Sequence, residues 1–333
     1  MTRTPSGAPI RIAAAPDKKV LPVVFALLNS ILINEKGFPV EFYCLSTKLD
    51  DHDKELLSEF FCKDPQKKII FPRINEDLLP NDLPTTDVWP QEMYYRLLLT
   101  DILDKEIDRI LYLDTDMIVN KEISDFYFSD FEGSLMTVAK DPVFDYTLTL
   151  NNPNTRARND FFRHLRDNEG LNYFCSGMLL MNIAKLREEY SLNRYLEIFD
   201  SLRDKAALYD QDLLNYAHRG QVRYVDNTVY GVFTWDSHNK SRTYEDIKNN
   251  AAIVHFTAPA KPWTHNAIRY DIEQLWWDYA KGTPYYLTML ENVFFASLHS
   301  TFTEDEFNKL KSENEELRSL LSHSMEILKK FTG

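Results

Sequence analysis

Apolar residues come in short blocks separated by polar, turn-forming stretches, and the spacing inside each block predicts its element. Ile10 to Ala15 reads as a strand, Pro16-Asp17-Lys18-Lys19 as a turn, Val20 to Asn34 as a helix and Val40 to Leu45 as a second strand. Lys54 to Phe61 has helical spacing, with Leu56, Leu57, Phe60 and Phe61 on one side, and Lys68 to Pro72 is a further short strand. Such strand–helix alternation predicts βαβ units and a mostly parallel sheet. Gln91 to Leu103 has Tyr95, Leu98, Leu99 and Ile102 at helical spacing. Beyond it lie strands at Ile110–Leu113, Leu135–Ala139, Met178–Asn182, Val222–Asp226 and Ala252–Phe256. A long helix is expected after Asn182, through about Arg203, and another from Tyr209. Residues 143–172 are the least regular, which predicts a lid or binding loop.

The run Ile110-Leu111-Tyr112-Leu113 ends in Asp114-Thr115-Asp116 and is followed by Met117-Ile118-Val119. In extended backbone, side chains two apart share a face, so both carboxylates can converge on one cation. At the carboxyl end of a parallel strand they stand where open α/β sheets bind ligands. Two other Asp-x-Asp pairs exist, Asp51/Asp53 and Asp210/Asp212; the first reads as a solvated turn. Asp114 and Asp116 differ in lying between apolar segments, where a carboxylate is costly unless a cation or hydrogen-bond donors satisfy it.

The net charge of −13 argues against a general nucleic-acid binder and against attraction to an anionic membrane surface. Cys44, Cys62 and Cys175 match no zinc spacing, and an odd count suggests reduced thiols in a cytosol. No secretory signal is visible at the N-terminus, and the apolar run Val20 to Ile33 is too short to span a bilayer.

From Pro284 onward the pattern is helical only. Phe307, Asn314, Leu321 and Leu328 recur every seven residues, as do Leu310, Leu317, Ser324 and Phe331. A heptad with one asparagine at an a position predicts two-stranded pairing, hence a homodimer through 304–333. A membrane-surface helix is the alternative, favoured by its lysines and opposed by its many glutamates.

His255 also follows an apolar strand. Two carboxylates and an imidazole suit octahedral Mn²⁺ or Mg²⁺ with sites open to phosphate oxygens. Lys261 and Arg96 can reach a phosphate, although Arg96 reads equally as a surface ion pair. The design is one in which a metal neutralises a leaving nucleoside diphosphate.

With these residues in view, the chain resembles the retaining glycosyltransferases of family 8, the group of bacterial lipooligosaccharide α-galactosyltransferases and glycogenin. The resemblance rests on Ile110–Asp116, Tyr173–Asn182, Asp210–Asn215 and His255–Trp263, in order along roughly residues 10–280. It implies an α/β GT-A (Rossmann-like) catalytic domain over 1–283, a nucleotide-sugar donor carrying uridine, and transfer of galactose or glucose to a glycan or glycoconjugate such as lipopolysaccharide; the heptad pattern adds a helical, coiled-coil extension over 284–333. It implies a cytoplasmic enzyme working at the inner face of the membrane without a transmembrane segment.

By motif, Asp114, Asp116 and His255 would bind the metal and Lys261 the diphosphate. Arg96 would touch the donor sugar and the leaving group. Asp141, the Ser176–Gly177 backbone and Asp210 would line the sugar pocket, Gln211 would lie beneath the anomeric carbon, and Asp17 would face the base. Read as residues alone, Asp210 is equally a helix cap and Asp141 a turn residue. The chain departs from the family in three places: Asp17-Lys18-Lys19-Val20 replaces Asp-x-Asn-Tyr, Ala258 replaces a glycine at the phosphate, and Cys175 replaces an asparagine at the sugar. These changes bear on the choice of nucleotide and sugar, and leave the metal–diphosphate core intact. They keep a second reading in view, a degenerate transferase fold assembling through its C-terminal helix; a hydrolytic phosphodiesterase is a distant third.

Overall fold

The structure is a computed structural model, which describes residues 7–80, 82–86, 90–150, 152–203, 205–257, 261–264, 270–299 and 304–332, the last helix with side chains at 308–323. Its strands are β1 (Ile10–Ala14), β2 (Val40–Cys44), β3 (Lys67–Ile70), β4 (Arg109–Leu113), β5 (Met117–Val119), β6 (Met136–Lys140), β7 (Phe174–Asn182), β8 (Val222–Val225), β9 (Val232–Phe233) and β10 (Ile253–His255). Seven form one sheet in the order β3-β2-β1-β4-β7-β6-β8, and β5-β10-β9 form a second. The large sheet is parallel except at β7, which runs antiparallel to both of its neighbours.

Alternation along each central strand divides the core. Ala13, Tyr43, Ile110 and Tyr112 face a cluster that includes Tyr94, Leu98 and Phe199. Ile12, Ala14, Phe42, Leu111 and Leu113 face a cluster built on the helices Leu21–Asn34 and Asp51–Phe61. Strands buried on both faces read as continuous apolar runs, which is why they were visible in the sequence. A third cluster, around Val254, Phe256 and Trp276, packs the small sheet against the helix Gln274–Ala280.

Several expectations are corrected. The segment Asp114–Asp116 is a turn, closed by Met117 N donating to the Asp114 carbonyl at 3.2 Å, so the carboxylates converge by chain reversal rather than by strand alternation. The helix expected over 91–103 is a 3₁₀ helix, Gln91–Leu98, with a short α-helix, Leu99–Ile102, after it. The long helix after Asn182 is two, Ile183–Glu189 and Leu192–Leu202; Tyr190 turns extended and the Ser191 side chain caps the second. Asp53 is no solvated turn residue but half of a capping box with Asp50, buried at the start of Asp51–Phe61.

Residues 143–172 hold a 14-residue helix, Arg156–Glu169, whose Phe162 and Leu165 pack with Phe144, Leu148, Leu171 and Tyr173. This segment has its own small core and is not an irregular loop. After the α/β body come the helices Tyr286–His299 and Glu304–Thr332. Leu310 and Asn314 are half-buried, whereas Leu317, Leu320 and Leu321 are exposed.

Candidate active site

Two pairings bring the site together. Leu113 of β4 lies opposite Met178 of β7, and Asp114 N donates to the Gly177 carbonyl at 2.8 Å, which sets Asp114 against the start of β7. Met117 of β5 lies opposite His255 of β10, and Phe256 N donates to the Asp116 carbonyl at 3.1 Å. The turn between β4 and β5 therefore ends against both strands at once. One donor atom from each of Asp114, Asp116 and His255 falls within a 4.8 Å cluster. Two carboxylates and an imidazole are a hard-oxygen and nitrogen set of the kind Mn²⁺ or Mg²⁺ accepts. Space is kept for them by Gly177: a Cβ there would lie 2.6 Å from His255 Cε1 and 2.7 Å from Asp114 Oδ2. The residues present fit a divalent cation.

His255 Nε2 is 3.1 Å from Asp116 Oδ1, and Lys261 Nζ donates to Asp116 Oδ2 at 2.6 Å and to the Phe256 carbonyl at 2.8 Å. Burial works to raise the Asp116 carboxyl, but the Lys261 ammonium and the His255 imidazole prevail and hold it well below the usual carboxylate range. On the other side of the ring, Cys175 Sγ lies 3.7 Å from His255 Nδ1, and burial lifts its thiol well above the ordinary range.

Arg96 is no surface residue. It is buried at 4 % exposure, with its guanidinium 4.2 Å over the Tyr112 ring. Nη1 donates to the Ser176 carbonyl at 2.5 Å and Nη2 to Asp114 Oδ1 at 2.9 Å. Its Nε–H is directed to the Met93 carbonyl at 2.9 Å, so Asp210 Oδ2, 3.3 Å from Nε, receives charge without a hydrogen bond. Burial pushes the Asp210 carboxyl up to about 6; Arg96 restrains the rise and Asp114 adds to it.

Asp210 and Gln211 open the helix Tyr209–Ala217. Gln211 spans the floor of the site: Oε1 accepts from Ser176 N at 3.0 Å and Nε2 donates to Asp141 Oδ2 at 3.1 Å. Burial raises the Asp141 carboxyl, whose Oδ1 accepts from Val143 N at 2.9 Å. Arg96, Asp114, Asp116, Asp141, Ser176, Asp210, Gln211, His255 and Lys261 all line one cavity of about 240 Å³, together with Met93, Cys175, Tyr209 and Phe233.

An adjoining cavity of about 390 Å³ shares Arg96, Asp114, Asp116 and Lys261 and extends to Asp17, Lys19, Val20, Thr115 and Trp263. Asp17 lines this second cavity and not the first, with Oδ1 accepting from Val20 N at 3.0 Å. Trp263 is half-buried, its ring centroid 4.6 Å from that of Trp276. Ala258 lies outside the described residues.

Sequence reasoning passed over Asp212, Arg158 and Tyr173, a buried network just behind Gln211. Asp212 was visible as half of an Asp-x-Asp pair, but no spacing links it to an arginine 54 residues earlier.

Residues 11–267 match the family described as glycosyl transferase family 8. The chain belongs to glycosyltransferase family 8. It is 26% identical over 266 residues to a lipopolysaccharide 1,2-glucosyltransferase of Escherichia coli K12, spanning 78% of this chain and 74% of that one. It is 22% identical to a lipopolysaccharide 1,3-galactosyltransferase of Salmonella typhimurium LT2, over 82% and 78% of the two chains. A crystal structure of galactosyltransferase LgtC with donor and acceptor sugar analogs superposes with a TM-score of 0.67 at 18% identity, covering 83% of this chain and 96% of that one. The expected GT-A fold is thereby shown, and as a family 8 member the protein is a hexosyltransferase. Among the described residues, no helix is long and apolar enough to cross a membrane.

Proposed function

We propose that this family 8 member is a divalent-cation-dependent, retaining transferase that moves galactose or glucose from a uridine diphosphate sugar to a glycan or glycoconjugate, with lipopolysaccharide as the leading acceptor class. The carrying observation is the convergence of Asp114, Asp116 and His255 within 4.8 Å, beside a buried arginine and a cavity floored by Gln211. The names of the E. coli and Salmonella relatives support the sugars and the acceptor class.

In this reading Asp114, Asp116 and His255 hold Mn²⁺ or Mg²⁺, which would neutralise charge on the diphosphate. Lys261 leaves Asp116 for a phosphate oxygen. Arg96 holds the sugar and the leaving group through Nη1 and Nη2, and Asp17 meets the base in the adjoining cavity. Asp141, Asp210 and the Ser176–Gly177 backbone line the sugar. Gln211 is a poor nucleophile, and both ends of its amide are engaged, so retention is assigned to front-face displacement. The bond from the anomeric carbon to diphosphate breaks, the acceptor oxygen bonds on the same face, and its proton passes to the departing phosphate. Gln211 and Asp210 stabilise the oxocarbenium-like state electrostatically.

The chain divides, on this proposal, into a catalytic part over 1–283 and a helical extension over 284–333, in which residues 304–333 pair two copies; the enzyme works in the cytoplasm, at the inner face of the membrane. The second reading, assembly through the tail by a degenerate transferase, is favoured by the exposure of Leu317 and Leu321.

Release of nucleoside diphosphate from a panel of nucleotide sugars, with and without Mn²⁺, tests the assignment. Mn²⁺-dependent release from UDP-galactose or UDP-glucose is expected. No release from any donor, with or without acceptor, and no shift in Tm by UDP with Mn²⁺ would select the second reading.

A further inference from the structure

Asp212 is fully buried and meets an unusually complete set of donors. Its Oδ1 accepts from Tyr173 Oη at 2.6 Å and Arg158 Nη2 at 2.9 Å. Arg158 Nε reaches both oxygens, at 3.0 and 2.9 Å. Oδ2 accepts in addition from the backbone amides of Ala207 at 2.9 Å and Leu208 at 2.8 Å. Arg158, at 4 % exposure, is enclosed by the rings of Phe144, Phe162 and Tyr173.

The two amides immediately precede Tyr209, which has φ +41, left-handed backbone that a bulky L-residue adopts only when its surroundings impose it. That turn delivers Asp210 toward Arg96 and Gln211 toward Ser176 and Asp141. The network also ties three separate pieces of chain together: the helix Arg156–Glu169, the residue before β7, and the helix Tyr209–Ala217. A buried ion pair is weak as a source of net stability, because desolvation offsets the Coulombic gain, yet it is specific in geometry.

We infer that Asp212, clamped by Arg158 and Tyr173, is a positioning residue: by holding the amides of 207 and 208 it imposes the strained turn at Tyr209 and so sets Asp210 and Gln211 in the pocket. The inference rests on the proposed roles of those two residues. It also gives the 144–172 segment a task, since that segment supplies the arginine of the clamp.

The test is a double-substitution cycle of Asp212→Asn and Gln211→Ala in the full-length enzyme with Mn²⁺ and UDP-galactose or UDP-glucose, together with a crystal structure of the Asp212→Asn protein. An asparagine cannot accept at both oxygens, so either the amides or the arginine lose their partner. Expected are a fall in kcat of about tenfold to a hundredfold with KM for the donor little changed, and a much smaller further fall when Gln211 is already alanine. In the crystal structure Tyr209 should leave the left-handed region, or Gln211 should lose Ser176 or Asp141. Unchanged geometry at Tyr209 and Gln211, or losses that multiply independently in the cycle, would overturn the inference. Wild-type turnover by Gln211→Ala alone would instead remove the role given to Gln211, and the geometry at Tyr209 would then decide the clamp by itself. Should Asp212→Asn not fold, Tyr173→Phe removes one bond to Oδ1 and keeps the ion pair, and the same two readouts apply.

Discussion

Gly177 and His255 approach so closely that a methyl group on the glycine would lie 2.6 Å from the imidazole Cε1. The second atom it would meet, Asp114 Oδ2 at 2.7 Å, belongs to the same acidic cluster. Gly177→Ala should therefore displace two proposed metal ligands together. The overpacking should cost about 1–3 kcal/mol in urea unfolding. The rise in Tm produced by Mn²⁺ with UDP should be lost, and a variant that keeps this rise would remove the glycine from the metal site.

Arg96 neutralises Asp114 and Asp210 from a fully enclosed position. Arg96→Ala leaves both carboxylates without that charge and should destabilise the fold by about 3–5 kcal/mol. Arg96→Lys keeps the charge but loses the fork that spans Ser176 and Asp114, so it should recover part of the stability and little of the turnover. Denaturant unfolding and initial rates measured on both variants separate the two effects.

The Asp210 carboxyl, raised to about 6 by burial and by Asp114 against the pull of Arg96, makes the metal-free enzyme sensitive to pH. Between the ordinary aspartate value and 6 the folded protein holds a proton that the unfolded chain has lost, so stability falls as pH rises through this window. Asp210→Asn abolishes the titration. Relative to wild type it should gain on the order of 2 kcal/mol between pH 4 and pH 7.5. A gap between the two proteins that stays constant over this range in urea titrations would show that Asp210 does not titrate there.

Mn²⁺ with UDP should raise Tm through Asp114 and Asp116, and the double variant Asp114→Asn/Asp116→Asn should show no rise. A ligand at a hundred times its Kd adds about 2.7 kcal/mol, which is several degrees for most domains. A rise retained in the double variant would place nucleotide binding elsewhere.

Removal of residues 304–333 should halve the particle mass measured by light scattering, because Leu317 and Leu321 stand 64% and 63% exposed on a helix with heptad spacing. Equal numbers of subunits per particle with and without the tail would end the dimer proposal. The half-buried Leu310 and Asn314 locate the opposing force: the tail helix already contacts its own neighbour, Tyr286–His299, where Arg318 pairs with Glu291.

The sequence by itself determined the central strands, because residues buried on both faces of a sheet must be apolar throughout, and Ile110–Leu113 and Ala252–Val254 carry that signature without reference to any neighbour, whereas the short strands Met117–Val119 and Val232–Phe233 went unpredicted. It also determined the chemical parts: two aspartates closing one apolar run, a histidine closing another, and an order of motifs that pointed to family 8. Its misreadings fell where local pattern is a poor guide. Arg156–Glu169 is so polar that only Phe162 and Leu165, meeting Phe144 and Tyr173 from other segments, show it to be a packed helix. Asp114-Thr115-Asp116 looks extended until its hydrogen bond to Met117 closes a turn.

Only the tertiary structure decided which parts meet. His255 reaches Asp116 across 139 residues because β5 and β10 pair in one register, and Arg158 reaches Asp212 across 54 because a separate small core holds its helix there. Whether Arg96 is a surface charge or the enclosed partner of Asp114 and Asp210 was settled in the same way. Burial and opposing charge depend on the whole packed chain, whereas the apolar periodicity of a strand is written in a handful of consecutive residues.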